Sequence, residues 1–140
     1  MNPWTDTPSV INKNNRPEVK MTRLRLLLIA LVLGLYALEG ILVNPLIFWV
    51  SIPIYFGYSV VASALKDSSK VKLRQGYGYL VLTVCFTYLY HFAWFFDWND
   101  TKTGSSTSAL IFLWFPVYAF FFGFAGYLFG LIGVKENKER

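Results

Sequence analysis

The side chains in this chain that could do chemistry are few, and two of them stand inside long apolar stretches. Glu39 and His91 are a carboxylate and an imidazole, the pair of groups that most often serve as base and acid in proton transfer. Thr83, Thr87 and His91 follow one another at steps of four residues. A helix would place these three side chains on one face, and Tyr36 would share a similar short face with Glu39.

The depths of Glu39 and His91 favour a contact between them. Glu39 lies five residues before Asn44, about 7 Å below the end of its apolar run, and His91 lies seven before Trp98, about 10 Å below. Pairing would lower the cost of placing a charge there. The alternative is that Glu39 reaches the lipid headgroups and His91 bonds a nearby carbonyl or hydroxyl. The sequence therefore predicts an intramembrane polar site made of Glu39, His91, Tyr36, Thr87 and Tyr90.

Other chemical constellations are missing from the sequence. A zinc site needs three or four Cys, His or carboxylate ligands, and this chain has one His and one Cys. Ser51, His91 and Asp97 could be combined on paper as a triad, but no nucleophile elbow surrounds the serine. No glycine loop precedes a helix in the manner of a phosphate site. We therefore predict no catalytic residues, no metal and no cofactor, and a membrane-embedded enzyme is the third of three readings of function.

The apolar stretches that must position these residues predict an all-α integral membrane protein. A bilayer core needs about 20 apolar helical residues, and residues 103–134 contain no charged side chain over 32 positions. Four such runs predict a four-helix transmembrane bundle, residues 23–134, with spans at about 24–43, 46–65, 77–98 and 109–133. Residues 1–22 are expected to form a disordered tail, and residues 135–140 a charged one.

The basic residues predict the orientation of the bundle. Of 13 Lys and Arg residues, 12 fall in the N-terminal segment, the connection after the second span and the C-terminal tail, and Lys102 alone falls elsewhere. The positive-inside rule then puts both termini in the cytoplasm. We expect multi-pass insertion in a bacterial inner membrane. The basic residues that give the net charge of +5 lie beside the spans, where they can contact lipid headgroups. This charge does not indicate a nucleic-acid site, and no nucleic-acid partner is predicted.

Small residues and prolines in the spans predict where helices meet. Four glycines of the last span lie at steps of three, four and three, which puts them on one helical face. Such a seam permits close approach of another helix. The predicted helix-packing seam consists of Gly123, Gly126, Gly130 and Gly133. Pro53 and Pro116 lie at similar depth in the second and fourth spans, where each could kink its helix.

These features favour a non-enzymatic role. The reading that fits small size, missing catalytic groups and a glycine seam is an accessory, partner-binding subunit, including an immunity-type inhibitor of a membrane-active toxin. Its partners would be the lipid bilayer and another membrane protein, or a second copy of the chain. The alternative is a small oligomeric transporter or channel that uses Glu39 and His91.

Overall fold

The computed structural model describes residues 15–39, 46–106 and 110–132, with side chains at 18–38, 46–106 and 110–132. This part of the chain is all-helical and contains no strand. Each of its four α-helices is long and apolar enough to cross a membrane, which confirms the predicted four-helix architecture. The elements, in chain order, are α1 (Asn15–Glu39), α2 (Leu46–Lys66), α3 (Lys70–Phe95), a 3₁₀ turn (Trp98–Asp100) and α4 (Ile111–Leu131).

The outer surface of the four helices is suited to lipid. Large apolar side chains point away from the protein interior along the helices, among them Leu33, Phe48 and Phe121, which are 61%, 79% and 69% exposed. A soluble monomer rarely exposes more than a few hundred Å² of continuous apolar surface. Because a bilayer removes the penalty for such a surface, these faces are consistent with a multi-pass membrane protein.

The third helix is the centre of the packing. α3 contacts each of the other three helices, and its interface with α4 is the most extensive. α1 packs against α2 and α3 but makes no contact with α4 within the described residues. We call the end that carries Lys66, Lys70 and Lys72 the basic end, and the end that carries Trp49 and Trp98 the tryptophan end. The buried apolar core, which includes Leu35, Val50, Ile54, Phe115 and Ala119, lies between these ends.

The third helix begins earlier than the sequence predicted. The predicted span started at about residue 77, with Lys70, Lys72 and Arg74 in a polar connection, but all three residues belong to α3. Ser69 caps this helix, since its Oγ accepts a hydrogen bond of 3.4 Å from the Lys72 N–H. Lys72 also pairs with Asp67 at 2.7 Å. The capped turn lets the helix extend beyond its apolar run, with the cations exposed on its outer side.

The other boundaries differ from the predicted spans by smaller amounts, except at the N-terminus. α1 begins at Asn15, so its first turns occupy part of the segment that the sequence assigned to a disordered tail. α4 ends at Leu131. Residues 1–14 of the predicted N-terminal tail and the whole predicted C-terminal tail, 135–140, lie outside the described part of the chain.

The glycine seam of α4 is in the interface with α3. Gly123, Gly126 and Gly130 are all buried. A Cβ on Gly126 would overlap the carbonyl oxygen of Gly78, and a Cβ on Gly130 would lie against the backbone of Gln75. The helix that the seam receives is therefore α3 of the same chain. Gly133, the fourth predicted member, lies outside the described residues.

Candidate functional site: the buried polar face of α3

Five polar side chains recur at every fourth residue of α3 and are almost completely buried. Successive members are neighbours on the helix surface, and because four residues slightly exceed one turn, the row winds gradually around α3. Their exposed fractions are between 0% and 6%. At 1.5 Å per residue, the row extends about 24 Å, most of the thickness of a bilayer core. This row, which we call the α3 polar face, consists of Gln75, Tyr79, Thr83, Thr87 and His91.

Helix α4 covers the α3 polar face with small and aromatic residues. Near the middle, Gly123 leaves the space that the Tyr79 ring and the Thr83 hydroxyl occupy, because a Cβ at this position would overlap both. Towards the tryptophan end, the rings of Phe112 and Phe115 lie 5.6 and 5.0 Å from the His91 ring. Small residues thus admit the polar groups into the interface, and aromatic rings enclose the imidazole.

His91 is held in one tautomer by the backbone of its own helix. Its Nδ1 lies 2.7 Å from the carbonyl oxygen of Thr87. A carbonyl oxygen can only accept, so Nδ1 must carry the hydrogen and donate it. In this tautomer Nε2 carries the lone pair, so it is the ring nitrogen that can accept a hydrogen bond.

Four buried hydroxyl groups make no hydrogen bond within the described part of the chain: Tyr79 Oη, Thr83 Oγ1, Thr87 Oγ1 and Tyr90 Oη. Burying a hydroxyl without a partner costs about 1–3 kcal/mol by mutational data. Three of the four belong to the α3 polar face, and Tyr90 lies beside it with its ring 6.1 Å from that of His91. The interior of the bundle therefore contains hydroxyl groups that packing of the helices does not need, since apolar side chains of similar size could fill the same space.

The predicted site residues are brought together only in part. Thr87, Tyr90 and His91 form one cluster on α3, and Tyr36 of α1 is half-buried against the apolar core. The Glu39 side chain lies outside the described residues, so its contact with His91 stays a prediction. What the structure supplies is the register of the two helices that carry them.

Two contacts, one near each end of α1, show how α1 is aligned with α3. Near the basic end, Arg23 and Tyr77 line the same pocket, and further along, a Cβ on Gly34 would overlap the Tyr88 hydroxyl. Residue numbers increase in the same direction along both helices, so α1 and α3 run in parallel. Glu39, at the end of α1, and His91, near the end of α3, therefore both lie towards the tryptophan end.

A hydrogen bond from Tyr88 fixes this register. Its hydroxyl donates to the carbonyl oxygen of Leu31 at 2.7 Å. Tyr88 precedes His91 by three residues, so the two side chains point about 60° apart around α3. The neighbouring helix α1 is thus tied to α3 one turn from the buried imidazole.

A pocket at the basic end reaches the first residue of the α3 polar face. Its volume is about 330 Å³, and Gln75 forms part of its wall. Ser59, Ser63 and Lys72 give it polar groups, and Tyr127 of α4 completes one side. The pocket lies where α2, α3 and α4 meet, which is the end of the interface that the polar row enters.

A second, mostly apolar groove of about 460 Å³ runs along the outside of the α3–α4 interface. Its floor is made of glycine backbone from Gly78, Gly126 and Gly130, and the side chains of Val81 and Phe129 lie beside it. Arg74 also borders the groove, and its guanidinium donates to the carbonyl oxygen of Ile132 at 3.0 Å. This bond satisfies a carbonyl at the end of α4, where no further helical partner follows.

The two prolines stand inside continuous helices. Pro53 and Pro116 are buried within α2 and α4. Close to Pro116, the indole N–H of Trp49 donates to the carbonyl oxygen of Leu113 at 3.1 Å. The carbonyl that Pro116 leaves without a helical N–H is that of Phe112, one residue before the carbonyl that Trp49 binds. Trp49 therefore joins α2 to α4 near the tryptophan end.

No group of three or more His, Cys, Asp or Glu residues that could hold a metal occurs among the residues that the structure describes. Comparisons with known protein families, with curated proteins and with solved structures found no match to this chain.

Two members of the α3 polar face were not identified from the sequence. Gln75 precedes the predicted third span, which starts at about residue 77, and Tyr79 is not among the predicted site residues. The spacing of four that links Thr83, Thr87 and His91 continues backwards through both residues. This spacing is visible in the sequence, but it can be extended to Gln75 only once Gln75 is known to belong to the helix. The partners of Trp49 and Tyr88 had no signal in the sequence, because both are backbone carbonyls of distant helices.

Proposed function

We propose that this protein is a non-enzymatic accessory subunit of a bacterial inner membrane, with both termini in the cytoplasm, that binds another membrane protein or a second copy of itself. An immunity-type inhibitor of a membrane-active toxin is one form of this role. The groove along the α3–α4 interface is the observation that carries the proposal. The groove supports this role because glycine backbone lines it, large side chains border it, and it lies on the outer surface of the helices.

Glycine backbone is the feature that makes this groove suited to a partner helix. Association in lipid gains little from burying apolar surface, so it depends on close van der Waals packing and on small residues that let backbones approach. Gly78, Gly126 and Gly130 have their inner sides occupied within the chain, yet all three also border the groove. A single helix laid along Val81 and Phe129 would reach this floor.

Photo-crosslinking in the native host tests this role. A photoreactive residue at Val81, in the groove, should give a discrete protein adduct, and one at Leu89 should not. Leu89 is the matched control because it lies on the same helix, is 62% exposed against 55% for Val81, and does not line the groove. Val81→Trp should abolish co-purification of the same partner, while Leu89→Trp retains it. Equal adducts at both positions, or none at either, would contradict the proposal.

A second candidate function, a small oligomeric transporter or channel, is favoured by the α3 polar face. Polar and ionisable residues inside membrane spans are costly and commonly mark the path of an ion or substrate. Here the row is buried inside the bundle and ends at His91, and Glu39 ends α1 towards the same, tryptophan end. Glu39 and His91 are the residues on which this function would depend.

Substitution of these two residues separates the transport role from a structural one. We expect Glu39→Gln and His91→Gln to fold normally and to lose transport measured across pH 5–8 in vesicles. Loss of folding in both variants would instead indicate that the residues fix helix register. If both single variants and the double variant match the parent in folding and flux, then Glu39 and His91 do not form a site.

A further inference from the structure

We propose that one anionic phospholipid binds in a cleft between α1 and α3 at the basic end of the bundle. The cleft consists of two adjoining pockets of about 290 and 310 Å³, which share the wall residues Lys20, Leu65 and Leu73. We call it the basic cleft, because cations form its rim and leucines form its deeper walls. The inference is independent of both functions above, since it uses neither the α3–α4 groove nor the α3 polar face.

Three cations from two helices meet at the rim of the basic cleft. Lys20 and Arg23 belong to α1, and Lys70 is the first residue of α3. None of the three forms an ion pair within the described residues, where Asp67 is already paired with Lys72 at 2.7 Å. No carboxylate of the described residues lines either pocket. The cleft therefore gathers positive charge that no acidic side chain in this part of the chain compensates.

Hydroxyl groups and the start of α3 add donors for a phosphate ester. Ser68 and Ser69 line the pocket beside Lys70. The Ser69 Oγ accepts the capping bond from the Lys72 N–H, and its own hydrogen can still be donated. The first N–H groups of a helix lack helical partners and favour anions. Together with the cations, these donors match the oxygens of a phosphodiester, which only accept hydrogen bonds.

The apolar walls of the basic cleft lie further along the helices than its cations. Both α1 and α3 begin at the basic end, so their residues enter the bundle in the same order. On α1, Leu27 follows Lys20 by seven residues, or about 10 Å. On α3, Tyr77 follows Lys70 by the same distance. Cations at one level and apolar side chains about 10 Å deeper suit a charged headgroup that is followed by acyl chains.

The basic cleft opens onto the apolar outer surface, which favours a membrane lipid over a soluble phosphate. Leu27 lines the cleft and is also 48% exposed, so an acyl chain can pass over this side chain and continue into the bilayer. Basic pockets between membrane helices are a general type of site for anionic headgroups. A zwitterionic headgroup carries its own cation, which the basic rim would repel. We therefore expect the cleft to select an anionic phospholipid.

Native mass spectrometry of the full-length protein in detergent tests the site, with phosphatidylglycerol as the anionic probe and phosphatidylcholine as the zwitterionic one. We expect one phosphatidylglycerol to stay bound to the parent under conditions that remove phosphatidylcholine. The double variant Arg23→Gln with Lys70→Gln should weaken phosphatidylglycerol binding by about tenfold or more. The matched control, Arg25→Gln with Lys66→Gln, removes the same charge from exposed residues at the same end. Neither control residue lines the cleft, so this variant should keep the parent affinity.

Filling the cleft without changing its charge gives an independent test if the glutamine variant does not fold. Leu27→Trp puts a bulky ring at the apolar wall and should weaken phosphatidylglycerol binding. Leu26→Trp is the control, because Leu26 is 61% exposed on the same helix and lines neither pocket. Circular dichroism and gel filtration in detergent establish that each variant is folded. Parent affinity in both tryptophan variants would overturn the site.

The charge variants and the two lipids also define results that contradict the proposal. Equal losses of affinity in the two glutamine double variants would show that diffuse surface charge, not the cleft, attracts the lipid. Equal retention of phosphatidylglycerol and phosphatidylcholine by the parent would show that headgroup charge is not selected. Glycerol phosphate, which lacks acyl chains, should not displace the bound lipid at equal concentration. Displacement would make a soluble phosphate ester the ligand and overturn the lipid assignment.

Discussion

Gly78 of α3 and Gly126 of α4 face each other so closely that a Cβ added to either would overlap the carbonyl oxygen of the other. Backbone packs directly on backbone at this point, which a side chain at either position would prevent. Because α3 carries the buried polar row and α4 covers it, this contact sets the width of the interface through which the row passes.

Enlarging either glycine should destabilise the bundle. We expect Gly126→Leu and Gly78→Ala to lower the free energy of unfolding by about 1–3 kcal/mol or more, because overpacking forces the helices apart. Unfolding in bicelles measures the change. The control is Phe121→Leu on the same helix, where the side chain is 69% exposed and the substitution should be mild. Equal tolerance at all three positions would show that the contact contributes nothing to stability.

The hydrogen bond between the Tyr88 hydroxyl and the Leu31 carbonyl should hold α1 in place. Tyr88→Phe removes only the hydroxyl, and side-chain hydrogen bonds between membrane helices contribute about 0.6 kcal/mol on average, with a maximum of about 1.7 kcal/mol. We expect a loss in this range by the same unfolding measurement. Tyr118→Phe is the control, since Tyr118 is 52% exposed on the surface of α4. A loss of the same size in both variants would show that the bond does not specifically anchor α1.

Cysteine labelling in intact cells checks the proposed orientation. In a Cys85→Ala background, a membrane-impermeant maleimide should modify a cysteine at Ser105 and leave one at Lys70 unmodified until the cells are opened. Both positions are exposed, so accessibility within the protein does not distinguish them. Labelling at Lys70 in intact cells would reverse the orientation, and labelling at both positions would contradict the number of spans between them.

Asp97 should make the connection after α3 sensitive to acid. The Thr103 hydroxyl donates to one carboxylate oxygen at 2.5 Å, and the Lys102 N–H donates to the other at 2.7 Å. These bonds, that of Thr103 first, lower the pKa of Asp97 below its ordinary value of 3.8. Since the folded pKa lies below the unfolded one, the ordering of this connection is complete above the unfolded pKa. It is lost as the pH falls through the folded pKa.

The amide resonances of Lys102 and Thr103 in detergent micelles report this transition. We expect both to hold constant positions at neutral pH and to shift on acidification below about pH 3.8, the ordinary pKa of Asp97. Asp97→Asn should give the acid spectrum already at neutral pH. Asp100→Asn serves as control, because the side chain is exposed and asparagine also tolerates its positive φ of 56°. Unchanged amide positions on acidification would show that the carboxylate does not order the connection.

The sequence by itself determined the number and approximate position of the four helices that are long and apolar enough to cross a membrane. A charge-free run such as residues 103–134 has few possible structures other than a spanning helix. A bilayer core requires helices of about this length, whose backbone groups are hydrogen-bonded internally. The spacing of Gly123, Gly126 and Gly130, and that of Thr83, Thr87 and His91, also defined helix faces correctly. Local periodicity is a property of one helix, so one segment is enough to read it.

The tertiary structure decided which faces meet. The sequence did not indicate that Gly126 would receive Gly78, that Gln75 and Tyr79 would continue the buried row, or that α1 would pack against α3. Lipid-facing and protein-facing surfaces of a membrane helix are similarly apolar, so composition does not separate them. The choice of partner follows from how backbones and side chains of distant segments fit together, and that fit exists only once the helices are packed.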